Sequence, residues 1–218
     1  MKILHINGTA YGGAANFVID LHKSLLEKKV ESILYIPKKR NIPKLIHPNS
    51  IFFKFHNMIK VILIKIINKF IIKSNQTVTL AFFNSYEIRK IIKKEKPDLI
   101  NIHWIGNEFL SINEILNFNK PIVWTLHDMW TFLPVEHYKD NNKSIGYFES
   151  YFLNRKKKLN KKKINFVPTS SWMNNAILES NLYDKNKIIK IPCGINFNVW
   201  YPEDKKTARN LLGLEENI

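Results

Sequence analysis

Histidine, aspartate, serine and glycine residues gather at four points of this sequence where a short apolar run ends. Imidazole, carboxylate and hydroxyl groups exchange hydrogen bonds, and glycine leaves backbone N–H groups accessible, so these points suit a polyhydroxylated or phosphorylated ligand. The four stretches are Gly8-Thr-Ala-Tyr-Gly-Gly-Ala14, His103-Trp104, His127-Asp128 and Thr169-Ser-Ser-Trp172. Because the carboxyl ends of parallel strands meet at one edge of a sheet, we predict that the four stretches line a shared cleft.

The glycine loop lacks both common nucleotide-binding patterns. It is not Gly-x-Gly-x-x-Gly, and Ala14-Ala15 stands where a P-loop needs Lys followed by Ser or Thr. Gly12, Gly13 and Ala14 nevertheless open a predicted helix, where free N–H groups and the helix dipole can hold a phosphate. The alternative interpretation is a simple tight turn.

Two histidines at strand ends, His103 and His127, are candidate ligand-binding residues. No other His, Cys or carboxylate has ligand spacing beside them, so no metal is expected. Hydrogen bonding to a sugar or phosphate is favoured, with Asp128 either fixing the imidazole tautomer or capping the next turn. The aromatic residues that follow can stack on a sugar or pack in the core: Trp130, Phe132 and Tyr138. The absence of Gly-x-Ser-x-Gly and His-Glu-x-x-His excludes serine hydrolase and zinc protease chemistry.

Short β-rich runs alternate with helical stretches, which predicts an α/β fold with a Rossmann-like, mostly parallel sheet and helices on both faces. Predicted strands cover residues 2–7, 32–36, 77–83, 98–103, 122–127, 164–168 and 188–192. Predicted helices include residues 14–29 and 205–212.

The composition describes an ordinary globular protein of 218 residues, 45% apolar and 24% charged. The net charge of +16 comes almost entirely from lysine, since arginine occurs only at positions 40, 89, 155 and 209. Codon bias and attraction to an anionic partner are two alternative explanations of this charge. The scarcity of arginine argues against a nucleic-acid-binding surface. One cysteine, Cys193, and the lack of a secretory segment predict a cytoplasmic protein. The lysine runs 156–158 and 161–163 are interpreted as solvated surface.

Residues 51–73 form the most apolar part of the chain. Five lysines interrupt this stretch too often for a membrane-spanning helix. On a helix, Lys54, Lys65, Lys69 and Lys73 fall within an arc of roughly 100°, with Lys60 opposite. Such a helix can lie on an anionic membrane surface, or it can pack on the sheet with its lysines in water.

Four stretches together resemble the retaining GT-B glycosyltransferases of family 4, of the type that builds surface polysaccharide. They are Gly12-Gly-Ala-Ala-Asn16, Pro97-Asp-Leu-Ile-Asn-Ile-His-Trp104, Lys120-Pro-Ile-Val-Trp-Thr-Leu-His-Asp-Met-Trp130, and Phe166-Val-Pro-Thr-Ser-Ser-Trp172 leading to Ile191-Pro-Cys-Gly-Ile-Asn196. The resemblance implies two Rossmann-like domains, of which this chain is the acceptor-binding N-terminal one over residues 1–199. Residues 200–218 would be the linker and helix leading to a C-terminal donor domain that the chain does not contain.

The resemblance also implies roles for individual residues. The glycine loop, Gly12, Gly13 and Ala14, would approach the donor phosphates, and His127 would contact the donor sugar as the best candidate for a catalytic residue. The other implied substrate-binding residues are His103, Trp104, Asp128, Trp130, Ser170 and Ser171. The donor would be a nucleotide sugar and the acceptor a lipid-linked glycan or polysaccharide at the inner face of a membrane. The chain alone is expected to be inactive.

Two alternatives stay open at this point. The chain could be a non-catalytic subunit that anchors a separate catalytic chain at a membrane, which co-purification with a second Rossmann-like chain would indicate. A basic nucleic-acid-binding protein is the weaker alternative, and it predicts DNA binding that weakens steeply with salt.

Overall fold

The computed structural model describes residues 1–139, 146–197 and 199–215, apart from the side chain of Tyr86. Within this part of the chain, six parallel strands form one sheet in the order β3-β2-β1-β4-β5-β6. The strands are β1 (Lys2–Ile6), β2 (Glu31–Tyr35), β3 (Leu45–Ile46), β4 (Leu99–Ile102), β5 (Ile122–Leu126) and β6 (Ile164–Pro168). The predicted α/β fold with a parallel sheet is confirmed. The last three residues of the predicted linker, 216–218, lie outside the described residues.

Helices cover both faces of the sheet. They are α1 (Gly13–Glu27), α2 (Ile51–Ile67), α3 (Tyr86–Glu95), α4 (Ile112–Leu116), α5 (Tyr147–Lys157), α6 (Ser171–Glu179) and α7 (Lys205–Leu211). Successive residues of β2 divide between two apolar clusters, because side chains alternate across a strand. Leu34 packs with Val18 of α1, whereas Tyr35 packs with Ile88 of α3 and Ile112 of α4.

The segment 77–83, which the sequence predicts as a strand, lies outside the sheet, and that prediction is wrong. It forms one isolated antiparallel bridge, from Val78 to Glu136, and most of the backbone bonds of residues 80–82 are made with side chains. The Glu108 carboxylate accepts from the N–H groups of Leu80, Ala81 and Phe82 at 2.5, 3.1 and 3.0 Å. Arg155 donates to the carbonyls of Leu80 and Ala81 at 3.4 and 3.3 Å.

Two further differences concern the sheet edges. Residues 188–192 run beside β6 and donate two backbone hydrogen bonds, from Ile189 to Phe166 and from Ile191 to Pro168, which is too few to form the predicted strand. Strand β3 has only two residues, a length at which no alternation of polar and apolar side chains can be recognised.

The order of the strands indicates where a ligand would bind. Connections run towards β3 on one side of β1 and towards β6 on the other, so the chain reverses direction across the sheet between β1 and β4. In open parallel sheets, ligands bind outside the carboxyl ends of the strands at such a reversal. Loops that follow β1, β4 and β5 meet there.

Candidate functional site

An open cleft of about 730 Å³ lies at the carboxyl ends of β1, β4 and β5. The glycine loop and the first turn of α1 form one wall, and the segment 75–77 forms another. Trp104, His127, Asp128, His137 and Tyr138 complete the lining. Of the four predicted stretches, three therefore share this cleft, and the serine stretch does not line it.

The three glycines of the loop have different structural roles. A Cβ on Gly8 would lie 3.1 Å from the Trp104 carbonyl and 3.1 Å from Phe109 Cβ, so this glycine permits close packing of two loops. Gly12 has φ +88° and ψ −178°, a conformation that only glycine adopts without strain. Gly13 opens α1 beside the cleft, and a Cβ there would meet no protein atom within 4 Å.

His127 borders the cleft, and two other histidines lie behind it. Its Nε2 is 3.2 Å from Nδ1 of His103, whose Nε2 is 3.3 Å from Nδ1 of His5. Burial lowers the pKa of His127 to about 4, an effect that the Asp128 carboxylate partly opposes. Burial also lowers the pKa of His103 well below its ordinary value. At neutral pH each ring is uncharged, so His127 can exchange hydrogen bonds with a ligand but does not attract a phosphate as a cation would.

Asp128 and His137 form a buried pair at the base of the cleft. The Asp128 carboxylate accepts from Nδ1 of His137 and from the backbone N–H of Trp130, the latter at 3.0 Å. Nε2 of His137 lies 3.0 Å from the Thr79 hydroxyl. Asp128 thus fixes the orientation of His137, a residue that the sequence analysis missed, rather than that of His127.

The remaining predicted substrate-binding residues lie further from the opening. Trp130 is 3% exposed and donates its indole N–H to the Thr79 carbonyl at 2.7 Å, so its ring is packed rather than available for stacking. The Ser170 side chain caps α6 by accepting from the N–H of Met173, and the Ser171 hydroxyl accepts from Lys190. His103 is 1% exposed and does not line the cleft.

Two cations beside the glycine loop were also missed by the sequence analysis. Lys38 Nζ and Arg40 Cζ lie 5.4 and 5.5 Å from the centre of the Tyr11 ring, and Arg40 donates to the Ala10 carbonyl at 2.8 Å. Both residues follow β2, whose carboxyl end reaches the same edge of the sheet as the other loops. A basic run directly after a predicted strand, Pro37-Lys-Lys-Arg40, is the signal that could have indicated them.

Helix α2 and the short π-helix that continues it, Asn68–Ile72, present their apolar side to solvent. Lys60 and Ile64 are the buried residues of α2, and Lys60 donates to the Asn84 carbonyl at 3.0 Å. Ten apolar side chains of this segment are 40% or more exposed, beside the exposed lysines 54, 65, 69 and 73. They are Ile51, Phe52, Phe55, Met58, Ile59, Ile62, Leu63, Ile66, Phe70 and Ile71. The alternative in which the apolar side packs on the sheet is therefore wrong.

The described residues contain neither a metal site nor a membrane-spanning helix. No group of three His, Cys, Asp or Glu side chains in that part of the chain could hold a metal ion. Nor does any helix there combine the length and the apolarity that crossing a membrane requires.

Comparison with known families decides to which family this fold and cleft belong. The family model described as Glycosyltransferase Family 4 matches residues 11–199, from the glycine loop to the end of the predicted domain. The chain belongs to glycosyltransferase family 4. No curated protein matches the sequence.

Solved structures similar to the family 4 chain share its fold. Anabaena HepE in complex with UDP-glucose is 15% identical with a TM-score of 0.57, over 98% of this chain and 50% of that one. A Rickettsia africae glycosyltransferase is 18% identical with a TM-score of 0.56, over 100% and 50%. Sucrose-phosphate synthase from Thermosynechococcus elongatus is 15% identical with a TM-score of 0.56, over 100% and 54%. The chain spans about half the length of these proteins.

Proposed function

We propose that this chain is the acceptor-binding N-terminal domain of a retaining glycosyltransferase that uses a nucleotide-sugar donor. Membership of family 4 supports sugar transfer, and the UDP-glucose complex of HepE supports this class of donor. The observation that carries the proposal is the cleft that joins the N-terminus of α1 to His127 at the reversal of the sheet. The acceptor is a lipid-linked glycan or a surface polysaccharide.

Each wall of the cleft has a separate task in this proposal. The first N–H groups of α1 point at the donor diphosphate, and Gly13 lets it approach closely because no side chain stands there. Lys38 and Arg40 add positive charge beside the same loop. The neutral imidazole of His127 hydrogen-bonds a hydroxyl of the donor sugar.

In the proposed reaction, the acceptor hydroxyl oxygen bonds to the anomeric carbon as the bond from that carbon to the diphosphate oxygen breaks. The hydroxyl proton leaves with the diphosphate, and the acceptor bonds on the face from which the diphosphate departs, which retains the configuration. Stabilising the charge of the leaving diphosphate is the main catalytic demand. Most groups for that task belong to a second domain, so this chain alone is inactive.

Substituting Gly13 by alanine tests the role of the loop. The Cβ fits the protein and favours the helix, so the free energy of unfolding should stay the same or rise by up to about 1 kcal/mol. The same Cβ stands where the diphosphate would approach, so affinity for UDP-glucose should fall about tenfold, a loss of about 1.4 kcal/mol. NMR titration of the chain with millimolar UDP-glucose measures the affinity.

The matched control is Gly194→Ala, which adds the same methyl group at an exposed site outside the cleft and should leave the affinity unchanged. If wild type and Gly13→Ala bind UDP-glucose with equal affinity, the loop is a simple turn and does not contact the diphosphate. Failure of millimolar UDP-glucose to perturb residues of the cleft would contradict the proposed donor.

We further propose that the chain acts at the cytoplasmic face of a membrane through α2. The ten exposed apolar side chains enter the lipid interface, and Lys54, Lys65, Lys69 and Lys73 meet anionic headgroups along its flank. This arrangement would bring a lipid-linked acceptor and the cleft to the same surface.

Charge substitution on α2 is expected to weaken binding to anionic vesicles. Each lysine near such a surface contributes about 1 kcal/mol, so replacing Lys54, Lys65 and Lys69 with glutamine should lower the partition coefficient about 100-fold. Co-sedimentation with phosphatidylglycerol vesicles measures it. Glutamines at the exposed Lys157, Lys158 and Lys161 remove the same charge elsewhere and should change binding far less. Equal losses in the two triple variants would indicate attraction by net charge alone.

A further inference from the structure

A recess of about 570 Å³ adjoins the cleft at the same edge of the sheet, between α6 and the residues Met129, Tyr138 and Lys139 that follow β5. Tyr138 lines both the cleft and the recess, so the two lie side by side. The first turn of α6 carries Trp172, the last residue of the serine stretch. The fourth predicted stretch therefore contributes to this recess, although it does not line the cleft. The volume lies within the range of ligand-binding pockets, roughly 300–1,000 Å³.

One face of α6 forms a wall of the recess. Its lining residues stand three and four positions apart, at Trp172, Asn175, Ala176 and Glu179. This spacing brings side chains to one side of a helix. Met173 and Ile177 on the other side of α6 are buried, so the lining face is turned away from the core. The wall is thus a regular helix surface whose position is fixed by the packing behind it.

Two exposed aromatic rings border the recess. Trp172 is 59% exposed and Tyr138 is 53% exposed, whereas Trp130 in the core is 3% exposed. The Tyr138 backbone N–H donates to the side-chain oxygen of Gln76 at 3.2 Å, which holds this residue beside the cleft. Such rings lose little conformational freedom when a ligand packs on them, because each has only two side-chain torsions. They offer flat apolar faces to a ligand without any change in the core.

The polar groups of the recess suit a neutral, hydroxylated ligand. Lys139 can donate hydrogen bonds, Glu179 can accept them, and Asn175 can do both. All three side chains are exposed, and none of them hydrogen-bonds to another residue in the part of the chain that the structure describes. One lysine and one glutamate give the recess no net charge, in a chain whose net charge is +16. This balance favours an uncharged ligand over a phosphate, which surplus cations would attract.

We propose that the recess binds the sugar units of the acceptor glycan that lie beyond the reacting one. A pyranose ring has a flat face of C–H groups and a rim of hydroxyl groups. Its face packs on the Trp172 indole while its hydroxyls bond to Asn175 and Glu179. With the reacting hydroxyl beside His127 in the cleft, the rest of the glycan passes Tyr138 and reaches α6. This assignment rests on the proposed function, because it requires the acceptor to be a glycan.

NMR titration of the full nitrogen-15-labelled chain tests the proposal, with maltotriose, cellotriose and triacetylchitotriose as probes. At tens of millimolar, at least one of them should shift the indole N–H signal of Trp172. The Trp200 indole, also exposed but outside the recess, is the internal reference and should not shift. Trp172→Ala should weaken binding about tenfold and leave folding nearly unchanged, because the ring is exposed. Trp172→Phe keeps a flat ring and should retain most of the affinity.

The matched control is Trp200→Ala, which removes an exposed indole elsewhere and should leave the affinity for the trisaccharide unchanged. A Trp172 signal that none of the three trisaccharides shifts would overturn the proposal, as would a Trp172→Ala variant that binds as tightly as wild type. A shift of that signal by UDP and by none of the trisaccharides would also overturn it and assign the recess to the donor. Failure of UDP-glucose to perturb the cleft would contradict the proposed function while leaving the trisaccharide result intact.

Discussion

Replacing Glu108 with alanine should lower the free energy of unfolding by about 3–5 kcal/mol, because it leaves buried backbone donors without a partner. The carboxylate accepts from the N–H groups of three successive residues, 80 to 82, and the Glu108 side chain is 1% exposed. Urea denaturation of the two proteins measures the difference.

The substitution Glu108→Gln is the matched control for this prediction. Its amide oxygen can still accept from Leu80 and Ala81, while its NH₂ group opposes the N–H of Phe82, so about half of the loss is expected. Equal stability of alanine variant and wild type would mean that the segment is held by its apolar contacts instead. Because Thr79 holds both His137 and Trp130, the alanine variant should also weaken ligand binding in the cleft.

Acidification from pH 7 to pH 5 should destabilise the protein by about 2 kcal/mol for each of the imidazoles of His5 and His127. An unfolded histidine titrates near pH 6.5, whereas His127 and His5 in the folded chain titrate at about 4 and 3. Their lowered pKa means that the unfolded chain binds more protons below pH 6.5. Stability is thus fully present above that pH and is lost as the pH falls towards the folded pKa. Burial lowers the pKa of His103 in the same direction, so this residue adds to the loss.

Urea denaturation at a series of pH values checks this dependence. In His5→Gln an imidazole with a lowered pKa is removed, so the decrease between pH 7 and pH 5 should shrink by about 2 kcal/mol. A free energy of unfolding that stays constant over this interval would contradict the neutral state of His5 and His127.

The sequence predicted the sheet well where strands are apolar runs bounded by turns or prolines. The predicted strand 164–168 coincides with β6. The predicted strands for β1 and β5 are one residue too long at the C-terminal end, and those for β2 and β4 differ from the structure by one residue at each end. The segment 77–83 has the same composition as a strand, but its only β-bridge among the described residues joins Val78 to Glu136. Side chains from distant parts of the chain, Glu108 and Arg155, bond the backbone of residues 80–82. No local pattern could reveal a partner that lies on other elements.

The cleft was predictable in outline because strand ends must meet at one edge of a parallel sheet. His127 and the glycine loop follow from that rule alone. His5 was missed because, inside a strand, it resembles an ordinary alternating polar residue. Lys156 was interpreted as part of a solvated run and that prediction is wrong: it is 1% exposed, with its ammonium bound to the carbonyls of Trp130 and Leu133.

The domain boundary at residue 199 and the metal-free reaction stay predictions.

The outward face of α2 also bears on how the chain behaves in plain buffer. The ten solvent-exposed apolar side chains of α2 can pack against another molecule, so self-association at high concentration should start at this helix. The net charge of +16 keeps molecules apart at low ionic strength, and added salt screens that repulsion within about 10 Å at 0.1 M. Salt should therefore promote clustering of the free chain, and mild detergent should reverse it without disturbing the sheet.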